Sequence, residues 1–430
     1  MQTVGLYTDA QTLLQKPAYF VRLQQELGLN LVIVGYSGEL PGSVLAETPF
    51  VGQPPTIASI NSVLARHLDG TLCTDTPELA QGSVGPHVGR GGDDKALQQA
   101  IAQAHRLGLQ VWLLAGAWTA NDYHTLMFCP NDAQVNTWYE AVFTHLASQY
   151  GVEGVDITHA RYPMTSEPRG MFLCACERCA RAAEELGYDM GRMQAEIMDS
   201  LRNLRRVDAG RLRAVSRGAL GTSDLMQLLG LRSGLFQWFQ FRADVLTRNM
   251  SRFRTHIHQA AGTRMIFGAD TYPASLAMFA GHNQSRWGEC SDFASPLISH
   301  ADIFVMKTWV AWARFLQQNI AQLAEPEALR LIYRMTGYDS LGLPENVVQM
   351  AIGEPDCEFR NIPLRELLAL DMAKARLMLP AGLPSYPIIQ GGGAPHLWPR
   401  SIIEGIIEDA TSLGHQGVML QGITSLFSEA

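Results

Sequence analysis

The feature that most limits this fold is a repeated alternation of short apolar segments with longer amphipathic ones. Short apolar segments fall at 3–9, 29–34, 109–114, 154–158, 264–272, 302–309, 385–390 and 416–421. Most are apolar at successive positions, as expected of strands covered on both faces. Between them, apolar residues recur at helical spacing, as in Leu97, Ile101 and Ala104, or Trp138, Val142, Leu146 and Tyr150. Eight such β–α units predict an α/β protein, a (β/α)8 TIM barrel with long βα loops. An open doubly wound sheet would carry a glycine-rich phosphate loop after its first strand. Here that strand runs into Tyr7-Thr8-Asp9-Ala10, without glycine. Residues 212–215 are a further short strand candidate. The expected organisation is one barrel domain over residues 1–430, with a Gly/Pro-rich loop insertion at about 38–92.

Composition narrows the partners. The net charge is −8 and no basic run is visible, so nucleic acid and anionic membrane surfaces are not expected partners. No apolar run reaches the roughly 18 residues needed to span a bilayer. The start, Met1-Gln2-Thr3-Val4-Gly5, lacks the basic and apolar regions of a signal peptide, and a cytoplasmic location is expected. Barrels of this kind are often oligomeric, which leaves a homo-oligomer open.

Seven cysteines, an odd number, do not suggest a disulfide framework. Three of them, Cys174, Cys176 and Cys179, follow a C-x-C-x2-C spacing that lets one tight turn present several thiolates to a metal. Cys129 precedes the helix leading back to the 154–158 strand and is the natural fourth ligand. Four cysteines leave no open coordination position, so the expected cofactor is structural zinc. Reduced, unliganded thiols are the alternative. Cys73, Cys290 and Cys357 are isolated and read as ordinary small apolar residues.

Side chains alternate along a strand, so Asp156, Thr158 and Ala160 share one face, and Gly268, Asp270 and Tyr272 share another. Asp156 and Asp270 then point into the barrel near its C-terminal mouth, where barrel active sites lie. A carboxylate pair suits glycoside hydrolysis, one group as acid and the other as nucleophile or base. Asp9 and Glu167 are reserves. Arg161 or Lys307 would keep a neighbouring carboxylate ionised. Tyr36, Trp118, Tyr162, Tyr272 and Trp309 are candidate walls for sugar faces. His159, Gln390 and Gln421 complete the expected substrate-binding set at strand ends. A structural ion pair with Arg161 or Lys307 is the competing account of the two aspartates.

Two resemblances bear on this. Cys129-Pro130-Asn131, a helix, the 154–158 strand and the C-x-C-x2-C group resemble the family 42 β-galactosidases, from about Trp112 to Cys179. That resemblance implies a barrel and all four zinc ligands. It departs from the family at the chemistry: His159-Ala160 stand where Asn-Glu would end the fourth strand, and Gln390 stands where the nucleophile glutamate would be. The segments Gly154 to Pro163, Phe239-Gln240-Phe241-Arg242 and Phe267 to Ala277, with Met306, resemble the family-10-like glycosyl hydrolases. Their fourth strand ends D-x-I-R-[YF]-P. Arg161, Tyr162 and Pro163 match, but Thr158 replaces the expected Asp.

The expected function is therefore a glycosidase acting on a carbohydrate or small glycoside through Asp156 and Asp270. Two other readings stand beside it. One is a carbohydrate-binding barrel without catalysis; the other is a barrel lyase or isomerase using Lys307 or His159 as base.

Overall fold

The computed structural model describes residues 2–40, 93–118, 128–162, 168–172, 174–218, 221–350, 361–393, 396–397 and 400–423. Eight parallel strands form one sheet: β1 (Thr3–Thr8), β2 (Leu31–Gly35), β3 (Gln110–Gly116), β4 (Gly154–Thr158), β5 (Ile266–Thr271), β6 (Ala294–Pro296), β7 (Ile388–Gln390) and β8 (Gly417–Gln421). Their spatial order is β6-β5-β4-β3-β2-β1-β8-β7. Parallel bridges Ala294 to Ser385 and Leu297 to Ile388 join the two outer strands. The sheet thus curls into a (β/α)8 barrel, as the alternation predicts.

Helices cover its outside. Among the described residues five of them, Ala10–Gln15, Asp94–Arg106, Ala133–Gln149, Met190–Leu204 and Ala209–Ser216, follow an aspartate whose carboxylate accepts from first-turn amides. Such caps satisfy otherwise orphaned N–H groups. Among the described residues no helix is long and apolar enough to cross a membrane.

The lower half of the barrel interior is filled by large side chains. Trp112, Phe293 and Tyr386 meet there, with Trp112 and Phe293 ring centroids 4.6 Å apart. Glycines make the space. A Cβ at Gly154 would lie 2.7 Å from the Trp112 ring, and one at Gly268 would lie 2.5 Å from Phe293. These contacts fix Gly154, Asp156 and Thr158 on the inner face of β4. The same alternation puts Gly268 and Asp270 on the inner face of β5.

Two expected strands are helical instead. Residues 302–309 lie in a helical turn, Ala301–Met306, and a helix, Lys307–Asn319. The sixth strand is the three-residue segment Ala294–Pro296. Residues 212–215 lie in the helix Ala209–Ser216. All but residues 38–40 of the long Gly/Pro-rich loop lies outside the described residues, as do Glu167, Cys73 and Cys357.

Candidate active site and metal site

Asp156 and Asp270 stand on neighbouring strands, one layer apart. Asp156 pairs in register with Gly268, two residues before Asp270. Asp156 is wholly buried and Asp270 is 8% exposed. The Tyr7 phenol on β1 donates to Asp156 Oδ2 at 2.8 Å, and among the described residues no side chain donates to the other oxygen. Asp270 has two donors: the Thr158 hydroxyl at 2.9 Å from Oδ2, and the His159 amide at 3.2 Å from Oδ1.

Their electrostatics differ accordingly. Burial, reinforced by the charge of Asp270, pushes the Asp156 carboxyl up to about 8. Burial pushes Asp270 up to about 6, while Thr158, Arg161 and the His159 amide hold it down. Burial and the two aspartates push the Tyr7 phenol well above its ordinary range, so it acts as a donor. Both carboxyls are thus held above the ordinary carboxylate range, Asp156 further than Asp270.

The strand exits above them are tied together by His282, which is buried. The Tyr272 amide donates to its Nδ1 at 3.0 Å, so Nε2 carries the proton and donates to the Ala160 carbonyl at 2.8 Å. Burial lowers this imidazole to about 3, consistent with a neutral strut. Neither Tyr7 nor His282 was marked as a site residue by sequence. Strand-end position and polarity could have flagged Tyr7; His282 lies in a loop with no local signal.

The other expected site residues divide. Gln390 and Gln421 face each other in register at the mouth ends of β7 and β8, half-buried. Arg161 lies over the Tyr272 ring, 5.4 Å from its centroid, and its charge acts on Asp270. Tyr272 is buried against Phe304. Half-buried Tyr36 hydrogen-bonds Tyr150 at 3.2 Å, and Tyr150 in turn donates to Asp94.

Five expectations are corrected by burial or position. Asp9 is an exposed helix cap, its carboxylate accepting from the Thr12 amide at 2.8 Å. Trp118 has no exposed surface; it donates to Asn136 and packs on Phe253 behind the barrel. Trp309 is likewise wholly buried, against Tyr333 and Tyr338. Lys307 opens a helix and is exposed, not at the mouth end of a strand. Tyr162 is buried under the Arg242 guanidinium and accepts from Asn131 at 3.0 Å. Its role is to join the β4 exit to the cysteines.

Those cysteines converge. Cys129, Cys174, Cys176 and Cys179 are all buried, with their sulfurs within 4.8 Å of one another. Three of the separations are 3.5, 3.6 and 3.8 Å. A tetrahedral zinc with Zn–S bonds of 2.3 Å requires sulfurs about 3.8 Å apart, so the donor set fits one such ion. A disulfide would need about 2.05 Å. The Asn131 amide and side chain each donate to a sulfur at 3.4 Å, the support a ligated thiolate needs. Cys290 is buried apart from this group, bonded to the Trp287 carbonyl.

Searches by sequence find no matching family profile and no matching curated protein. The fold has neighbours among solved structures. It is similar to the glycoside hydrolase domain of PgaB (BpsB) from Bordetella bronchiseptica, with a TM-score of 0.51 at 8% identity, over 98% of this chain and 93% of that one. More distant likenesses are the β-amylase catalytic domain of Paenibacillus polymyxa, at 0.45, 9%, 99% and 93% in the same order, and a chitinase of Rhizomucor miehei, at 0.44, 8%, 99% and 98%. At such identities the likeness concerns the fold alone, a TIM barrel.

Proposed function

We propose that this protein is a glycoside hydrolase acting on a carbohydrate or small glycoside. The observation that carries the reading is the coupled pair of inward aspartates, placed in environments that separate their proton affinities. Asp156, protonated at neutral pH, is the acid that protonates the leaving oxygen. Asp270, ionised, is the nucleophile or the base that activates water. Gln390 and Gln421, each with a donor and an acceptor, are assigned to sugar hydroxyls, with Arg161, Tyr36, Tyr272 and His159 around them.

We assign the four cysteines to a structural zinc. Its ligand set is closed, so it would brace the segment after β4 and take no part in bond cleavage.

The test is turnover of a broad panel of aryl glycosides and oligosaccharides by wild type, Asp156→Asn and Asp270→Asn. Loss of turnover in both variants with sugar binding retained supports the reading. A wild type that binds sugars but cleaves none overturns it in favour of a binding barrel.

A further inference from the structure

One dipeptide of the neighbouring strand end grips both oxygens of Asp270. The Thr158 hydroxyl takes Oδ2 at 2.9 Å and the His159 amide takes Oδ1 at 3.2 Å. The residue that supplies the second contact has an unusual backbone conformation. His159 has φ of +61°, the left-handed region that residues with a Cβ seldom occupy. The positive φ redirects the chain and the imidazole that follow the amide, and the ring lies against Thr158 beside the carboxylate. Non-glycine residues held in this way concentrate at functional sites.

The imidazole then completes the arrangement. His159 Nδ1 lies 2.8 Å from Thr158 Oγ1. That hydroxyl has one proton and directs it at Asp270, so it must accept from Nδ1–H. The result is a chain from ring to hydroxyl to carboxylate, each bond polarising the next.

The titratable and charged groups acting with Asp270 are Asp156 on β4, Tyr7 on β1, Arg161 and His159 beyond β4, and Tyr272 on β5. Asp156 and burial favour a proton on one of the two carboxyls. The donors at Asp270 decide which one stays ionised.

We propose that Thr158 and His159 are positioning residues that orient Asp270 and hold it as the carboxylate of the pair. This rests on the reading of Asp270 as the nucleophile or base, but it can be tested without turnover. The full chain is labelled with [13Cγ]aspartate, the Asp270 signal is identified by its loss in Asp270→Asn, and its pH titration is followed. Thr158→Val is expected to raise the Asp270 midpoint by about one pH unit, the scale of one charge-assisted hydrogen bond. Thr158→Ser is expected to return it to the wild-type value. 15N spectra of the imidazole are expected to show the Nδ1–H tautomer. If Thr158→Val fails to fold, Thr158→Ala carries the same expectation.

A variant that lowers Tm but leaves the midpoint unmoved shows a merely structural role and overturns the proposal. So does Thr158→Ser behaving like Thr158→Val. Failure to cleave any glycoside sinks the proposed function and leaves this titration as read. An unmoved midpoint in an active enzyme sinks only the positioning role.

Discussion

Tyr7 and Asp156 meet across the barrel interior. They stand 149 positions apart, on β1 and β4, and the phenol donates to the carboxyl at 2.8 Å. Their strands are not neighbours: β2 and β3 lie between them. A donor from the far wall therefore orients the acid that we assign to the leaving group. Tyr7→Phe removes the one side-chain donor to Asp156 among the described residues, a bond that lowers its proton affinity. The basic limb of the pH–rate profile is expected to move to higher pH, with a stability loss of about 1 kcal/mol measured by denaturant unfolding.

The two carboxyls predict the shape of that profile. Activity is expected to rise as Asp270 ionises near pH 6 and to fall as Asp156 loses its proton near pH 8. Each asparagine variant is expected to lose about a thousandfold or more in kcat, with sugar affinity retained by calorimetry. A profile that is flat from pH 5 to 9 would remove the acid and base assignments.

Asp156 also links stability to pH. Its folded value is raised above the ordinary carboxylate range, so the folded chain holds more protons than the unfolded one between about pH 4 and 8. This contribution is fully favourable below that window and is lost as pH rises through it. Asp156→Asn is therefore expected to gain Tm relative to wild type progressively from pH 4 to 8. A constant difference across that range in calorimetry would contradict the assignment.

Purified protein is expected to contain one zinc per chain by elemental analysis. Stripping it with a chelator, or Cys176→Ser, is expected to lower Tm by several degrees, since removal of a closed ligand set unties the segment after β4. Unchanged melting in both cases would mean four unliganded thiols.

Gly154→Ala and Gly268→Ala test the packing beneath the site. A methyl at either position meets the Trp112 or Phe293 ring at 2.7 or 2.5 Å. Each is expected to cost about 1–3 kcal/mol, seen as a lower denaturant midpoint without change in slope. Neutral substitutions would mean that the rings can move aside.

The barrel was legible because seven of its strands are apolar runs bounded by turn signals, and the alternation of β4 and β5 correctly aimed Asp156 and Asp270 inward. The eighth was misplaced for a physical reason. Residues 302–309 are apolar enough for a strand, but short apolar runs are equally at home in a buried helix. The true β6, Ala294-Ser295-Pro296, is three residues ending in proline and carries no hydrophobic signature. The cysteines were legible from spacing, because one turn supplies three of them. Trp118, Tyr162 and Trp309 were misjudged because an aromatic near a strand or loop end has no sequence mark of which way it packs. Tyr7 on Asp156 and His282 between two loops depend on separations of 149 and 122 residues, which no local pattern encodes.

The glycine-made space for Trp112 and Phe293 has a consequence for traffic. Bulky rings close the barrel below the aspartates, making it a cup with a floor instead of a tube. Anything reaching Asp156 must arrive from the rim and leave by the same way. In the proposed reaction, sugar and attacking water would share that single doorway, so the departing half of a cleaved glycoside must clear it before water or a second sugar can take its place.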